Sequence, residues 1–482
     1  MTNASLSPLL QKLSDRLGPK GFTREPDSMA PWLEDWRKRY HGAAAAMLSP
    51  ASTEEVADIV RLCSAARVAI VPQGGNSGMV GGATPTAASN QILLSLRRMN
   101  AIRTISAESS SAVCEAGVIL ANLHDAAAAV GRRFPLTLGA KGSATVGGLI
   151  STNAGGTQVL RFGTMRGLVA GIEAVLPDGS IFNGLTVLKK DNRGYDLRQL
   201  LIGAEGTLGI VTAAALKLVP AVGVRRVAWV GLGSPEAALR LLRAFEDKMG
   251  EAVEGFELLP SAALEIVLRY IPGTRAPLDR RCAWNVLIEA TAPVGAPDPQ
   301  PALEQALGDA LETGLIEDAM IAASEAQAEA LWRIRDSMAE AESKDRQSTK
   351  HDISVAVDSM PGFMVEAAAA VERRFPGTSV MAFGHLGDGN VHFNVRAPDG
   401  AAPDWLLSEG PATSAYVHDL VTAAGGSLSA EHGIGQARLA ELERIGDPTR
   451  LRAMAAIKRA LDPHGIMNPG KLVPLAEGEG GP

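Results

Sequence analysis

Three stretches dense in glycine limit what the first half of this chain can become: PQGGNSGMVGGATP (72–85), TLGAKGSATVGGLISTNAGGTQVLRFG (137–163) and LIGAEGTLGIV (201–211). Glycine weakens helix and strand interiors, but it tolerates positive φ and lets backbone N–H groups crowd around an anion. The loops alternate with short apolar runs such as VAIVP and ILLSL. This half is therefore expected to be built of short β-elements joined by loops able to cradle a ligand. Each loop also carries Ser, Thr or Asn, and three of them together point to a large anionic cofactor. Neither GxGxxG nor GxxxxGK[ST] occurs, so neither the Rossmann nor the P-loop mode of phosphate binding is signalled.

From about residue 225 the pattern changes. VAWVGL, AVEGFELLP, WNVLIEAT, DAMIAAS, HDISVAV and TSVMAFGHL read as strands, with amphipathic helices such as PEAALRLLRAFEDKM and EAQAEALWRIRDSMAEA between some of them. That alternation predicts an antiparallel sheet with helices on one face. Ser52-Thr53-Glu54-Glu55 reads as a capping box, residues 1–39 as an N-terminal helical segment, 411–474 as mainly helical, and 475–482 as disordered. At 482 residues the chain is long enough for two or three domains. A net charge of −7 advertises no basic face for nucleic acid, and no apolar run approaches the roughly 18 residues of a membrane helix. Cys63, Cys114 and Cys282 are widely spaced in apolar settings and read as buried free thiols. With no secretory pattern at the start, the expected compartment is the cytoplasm.

FGHLGDGNVHFN (383–394) sets two histidines around a turn. Asp388-Gly389 is a two-residue hairpin signal. That loop would pair Gly387 with Asn390 and place His385 opposite His392, Cβ atoms roughly 5 Å apart on one face. Asn394, two residues on, points the same way. The register gathers two imidazoles and an amide on one patch. A metal site and a purely structural pair of histidines both remain open on this stretch alone.

PQGGNSGMVGG, LGAKGSATVGGLISTNAGG, KKDNRGYDLRQLLIGAEGTLGIV, GHLGDGNVHFNV and AEHGIG, in this order, resemble the FAD-linked dehydrogenases of the vanillyl-alcohol-oxidase (PCMH-type FAD) superfamily. Within it they are most similar to the D-2-hydroxyglutarate and D-lactate dehydrogenase branch. The resemblance runs from about residue 35 to 474. It implies an α+β fold: a two-lobed PCMH-type FAD-binding domain over 40–222, an antiparallel-sheet substrate (cap) domain over 223–410, and a C-terminal segment over 411–474 that completes the site.

The same resemblance implies roles for particular residues. FAD contacts fall on Pro72, Gln73, Gly74, Gly75, Asn76, Ser77 and Gly78, on Pro135, Thr137, Gly139, Ser143, Thr145, Gly148, Thr152 and Asn153, and on Gly206, Ile210, Val211 and Asn468. Some superfamily members bond the flavin covalently through a histidine in the first loop; Asn76 stands here, which implies a non-covalent cofactor. His385, His392 and Glu431 are implied as ligands of a divalent metal, zinc first, with manganese or iron as alternatives. His432 is implied as the general base, a role suited to a side chain that titrates near neutral pH. Arg335, Lys350 and Asn394 are implied as substrate contacts. One departure is Ala339, where hydroxyglutarate-specific relatives carry a threonine. The activity implied is oxidation of a D-2-hydroxy acid, D-2-hydroxyglutarate first, with D-lactate or D-malate as the alternative and a non-redox flavin synthase more remote. Electrons would pass to an electron-transferring flavoprotein, a quinone or a cytochrome. A homodimer is allowed for.

Overall fold

A computed structural model describes residues 3–474; the stretch 475–482, expected to be disordered, lies outside the described residues. The chain divides into two compact units. The first comprises Met1–Gly156, Gly163–Pro220 and Glu431–Pro482, and the second Thr157–Phe162 with Ala221–Ala430.

In the first unit, β1 (Phe22–Thr23), β2 (Ala46–Leu48), β3 (Ile70–Gln73) and β4 (Ile92–Ser95) form one sheet in the order β1-β2-β4-β3. Its β2, β4 and β3 are parallel. β5 (Ile102–Ser106), β6 (Ser111–Glu115), β7 (Val169–Val175), β8 (Ile181–Gly184) and β9 (Ile210–Lys217) form an antiparallel sheet in the order β5-β6-β9-β7-β8. Helix α1 (Asn3–Gly21) buries Leu6, Leu9, Leu10, Leu13 and Leu17 in one core with β2, β4 and helix α2 (Thr53–Ala66). Those leucines recur at the three- and four-residue spacing of a single helix face. Ser52 caps α2 by accepting from the Glu55 N–H, and the Glu55 carboxylate accepts from the Ala51 N–H at 2.7 Å. The capping box thus forms with its return bond displaced by one residue.

Cys63 lies in α2 and Cys114 in β6, and neither is solvent-exposed. Burial pushes both thiols up to about 12. The thiolate is the nucleophile, so iodoacetamide at pH 8 should leave both unmodified in the native protein and alkylate both once it is denatured. Mass spectrometry after each treatment checks this.

In the second unit, β10 (Val222–Leu232), β11 (Val253–Pro260), β12 (Trp284–Pro293), β13 (Asp318–Ile321), β14 (Ser348–Ser354), β15 (Ser379–His385) and β16 (Asn390–Arg396) form an antiparallel sheet. Their order is β13-β10-β12-β11-β15-β16-β14. Helices cover both faces, not one. Ala228, Val230, Phe256, Val286, Ile288 and Phe393 face helices at Pro235–Met249, Gln300–Glu312, Met360–Arg374 and Gly410–Ala423. Trp229, Leu259, Leu287, Met381 and Phe383 face helices at Ser261–Tyr270, Glu325–Asp336 and Met338–Asp345. The central strands are apolar at successive positions, which requires cover on both sides. Burying Trp229 stabilises by about 2–3 kcal/mol, and its Nε1 donates to Asn285 Oδ1 at 2.9 Å.

Candidate active site

In the first unit the glycine loops enclose a cavity of about 620 Å³. Side-chain clamps fix the first loop as it leaves β3. Gln73 Nε2 donates to the carbonyls of Trp32 and Ala83, both at 2.9 Å, and Asn76 Nδ2 donates to that of Glu34 at 2.8 Å. Asn76 sits at φ 52, in the left-handed region that asparagine tolerates better than most residues. The second loop lies directly against the first: a Cβ on Gly75 would fall 1.7 Å from the Ser143 carbonyl oxygen. Gly75→Ala should therefore displace one loop from the other. Overpacking of this kind costs about 1–3 kcal/mol or more, and the variant should purify without the yellow colour of bound flavin, as read from its visible spectrum.

Of the residues assigned to FAD by resemblance, Pro72 through Gly78, Gly139, Ser143, Thr145, Gly148, Thr152, Gly206, Ile210 and Val211 line this cavity. Pro135, Thr137, Asn153 and Asn468 are not among its walls. Asn153 Oδ1 accepts from Thr164 Oγ1 and the Arg166 N–H, and Asn468 Nδ2 donates to the carbonyls of Gly82 and Glu205. Both brace the loops from behind. The cavity suits an anionic cofactor with hydrogen-bonding edges. Thr145 Oγ1 and Gln73 Oε1 are buried with no hydrogen-bond partner among the described residues, and Cβ atoms at Gly78, Gly139 and Gly142 would meet nothing within 4 Å. Backbone at those glycines is open to close approach by a ligand.

Glu431 and His432 also line the cavity. What holds their loop is Glu205, which no sequence motif singles out. Its Oε1 accepts from the Ile434 N–H and its Oε2 from the Gly435 N–H, both at 2.8 Å. Burial raises the Glu205 carboxyl above its usual range, against the pull of these two donors.

In the second unit, the β15–β16 hairpin departs from the expected register. His385 pairs with Asn390, Gly384 with Val391, and His392 stands opposite Phe383. The loop is four residues, 386–389, because the N–H groups of both Asp388 and Gly389 return to the His385 carbonyl. A type I′ turn on Asp388-Gly389 needs two positive φ values, and of that pair only Gly389 has one. The pairing moves by two residues, so face parity is kept. His385 and His392 are diagonal neighbours with ring centroids 5.6 Å apart and planes at 76°.

Glu257, on β11 opposite His385, had no signal in local sequence. Its Oε1 accepts from His385 Nδ1 at 2.5 Å, and its Oε2 accepts from Arg335 Nε at 2.6 Å. Burial alone would raise its pKa, but the guanidinium of Arg335 and the hydrogen bonds from Arg335 and His385 outweigh it and hold the carboxyl below its usual range. Arg335 also lies over the Phe383 ring at 5.5 Å. Lys350 and Asn394 are cross-strand partners that share Glu342. Asn394 Nδ2 donates to Glu342 Oε2 at 2.7 Å, and Lys350 Nζ is 3.9 Å from that oxygen. Burial raises the Glu342 carboxyl, partly offset by Lys350. Two imidazoles, two cations and an amide thus project from one face of this sheet and the helix against it. The imidazoles are the donor type that zinc and its neighbours take.

An FAD binding domain family matches residues 44–184, and the C-terminal domain of FAD linked oxidases matches residues 223–472. The chain belongs to the FAD-linked oxidases. It is therefore an FAD-dependent oxidoreductase acting on a small molecule. It is 37% identical to a mitochondrial D-2-hydroxyglutarate dehydrogenase of Arabidopsis thaliana, over 95% of this chain and 80% of that one. It is 37% identical to the mitochondrial enzyme of Bos taurus, over 95% and 82%. A D-2-hydroxyglutarate dehydrogenase of Xanthomonas citri pv. viticola is 36% identical over 93% of each. Solved structures with the same fold include alkyldihydroxyacetonephosphate synthase (TM-score 0.73, 16% identity, 96% of this chain and 84% of that one) and p-cresol methylhydroxylase (TM-score 0.73, 16% identity, 98% and 97%).

These FAD-linked relatives overturn the cytoplasmic expectation, since those from Arabidopsis thaliana, Bos taurus and Rattus norvegicus are mitochondrial. The expectation rested on free thiols and on the lack of a secretory pattern, and neither is specific to the cytosol. Among the described residues, no helix is long and apolar enough to cross a membrane.

Proposed function

We propose that this chain oxidises D-2-hydroxyglutarate to 2-oxoglutarate, using non-covalently held FAD and a divalent metal, zinc first. The observation that carries the reading is the run of D-2-hydroxyglutarate dehydrogenases 35–37% identical over more than nine-tenths of the chain. Support also comes from the site. A dicarboxylate needs two cations, and Arg335 and Lys350 supply a planar fork and a point charge.

When bound, FAD supplies an acceptor for the hydride leaving the substrate carbon. His385, His392 and Glu431 would hold the divalent ion, which would supply Lewis-acid chemistry. Arg335 and Lys350 bind the two carboxylates, and Asn394 orients the end nearest the reacting carbon. His432 takes the hydroxyl proton as the carbonyl forms. Cavity walls from Pro72 through Gly78 hold the cofactor. Reoxidation falls to a separate acceptor, an electron-transferring flavoprotein, a quinone or a cytochrome.

Ala339 favours the second reading, a shorter acid, because no hydroxyl stands there to grip a distal carboxylate. Steady-state assays with an artificial dye acceptor decide between them. The proposal expects the highest kcat/KM with D-2-hydroxyglutarate, by at least about tenfold, the size of one lost hydrogen bond to a charged group. Higher kcat/KM with D-malate or D-lactate would overturn the assignment of substrate.

A further inference from the structure

Glu257 is the one fully buried carboxylate that touches both halves of the site in the second unit. It is 0% exposed, and neither of its oxygens is idle: Oε1 accepts from His385 Nδ1 at 2.5 Å, and Oε2 from Arg335 Nε at 2.6 Å. The first bond keeps the proton on Nδ1 and makes Nε2 the acceptor nitrogen of the ring. Nε2 is also the nitrogen that faces Arg335 Nη2, at 3.4 Å. A cation arriving at Nε2 would therefore meet the guanidinium, unless the negative charge of Glu257 holds that guanidinium and screens it.

We infer that Glu257 is a positioning residue with two dependents, fixing His385 as an Nε2 ligand and holding Arg335 in place to receive a substrate carboxylate. Metal affinity and recognition of the acid then rest on one side chain. The inference depends on the metal reading above, and it adds a requirement that the ligand set alone does not contain. A carboxylate behind a ligating histidine orients the ring and raises its basicity, and loss of such a partner typically costs about 10–100-fold in metal affinity.

The test uses the full-length flavoprotein, with Zn²⁺ as the probe, competed against a chromophoric chelator. Glu257→Gln should weaken zinc binding by about 10–100-fold and raise the KM for D-2-hydroxyglutarate at saturating zinc. Its flavin content should be unchanged, because Glu257 is not among the residues that line the flavin cavity. Glu257→Asp keeps the charge but is one methylene too short to reach both partners, and should also bind zinc more weakly than the parent. It serves as the reading if Glu257→Gln fails to fold. His385→Ala should lose at least as much zinc affinity as either. Parental zinc affinity in both Glu257 variants, with His385→Ala impaired, would overturn this inference and leave the metal reading standing. Parental affinity in His385→Ala as well would overturn the metal reading and this inference with it.

Discussion

Replacing His432 with asparagine should slow reduction of the flavin by D-2-hydroxyglutarate by about 10²–10⁴-fold, the usual contribution of a positioned base, while the protein stays yellow. His432 lines the cavity that the glycine loops enclose. Its loop is pinned by the two N–H bonds into Glu205, so the substitution removes a proton acceptor without releasing the backbone that carries it. Anaerobic stopped-flow absorbance gives the reduction rate directly. Asparagine keeps hydrogen-bonding capacity but cannot accept the hydroxyl proton at neutral pH. A base must be deprotonated to act, so the parent rate should rise with pH where the variant's stays flat. A decrease of less than about tenfold, with the rise against pH retained, would move the base elsewhere.

Removal of the metal should have an effect of similar size. Lewis-acid stabilisation worth about 4 kcal/mol corresponds to roughly 10³-fold in rate. Dialysis against a chelator should impose that loss and added Zn²⁺ should reverse it. His392→Ala should impose it irreversibly. The hairpin is the reason to expect two separable results. His385 is fastened behind by Glu257, whereas His392 reaches the same face from the neighbouring strand, its ring 5.6 Å away. Both treatments should leave flavin content unchanged. Full activity after exhaustive chelation, with metal analysis confirming its removal, would remove the ion from the account.

What sequence disclosed and what it hid follow from the range of the interactions involved. The glycine loops were legible because each is a local backbone requirement, and Gly75 meets Ser143 so closely that no other residue fits. The histidine pair was legible because face parity survives a change of pairing. The register itself was not, because a carbonyl that takes two N–H bonds stretched the turn to four residues. Helices on both sides of the second sheet were missed although runs such as VAWVGL, apolar at successive positions, carry that signal. Glu257 and Glu205 were invisible for a stronger reason. Each acts on a partner far away in the chain, His385 being 128 residues from Glu257 and Ile434 being 229 from Glu205. Only folding makes either pair neighbours. Asn468, whose FAD contact came from resemblance, also ties two distant segments together through its Nδ2, which donates to the carbonyls of Gly82 and Glu205.

The most direct measurement is the visible spectrum of the zinc-replete protein under anaerobic conditions, before and after adding a single enantiomer of 2-hydroxyglutarate. The expected result is a flavin band that the D-enantiomer bleaches and the L-enantiomer does not, with one 2-oxoglutarate formed per flavin reduced. A flavin that D-2-hydroxyglutarate, D-malate and D-lactate all leave oxidised would contradict it.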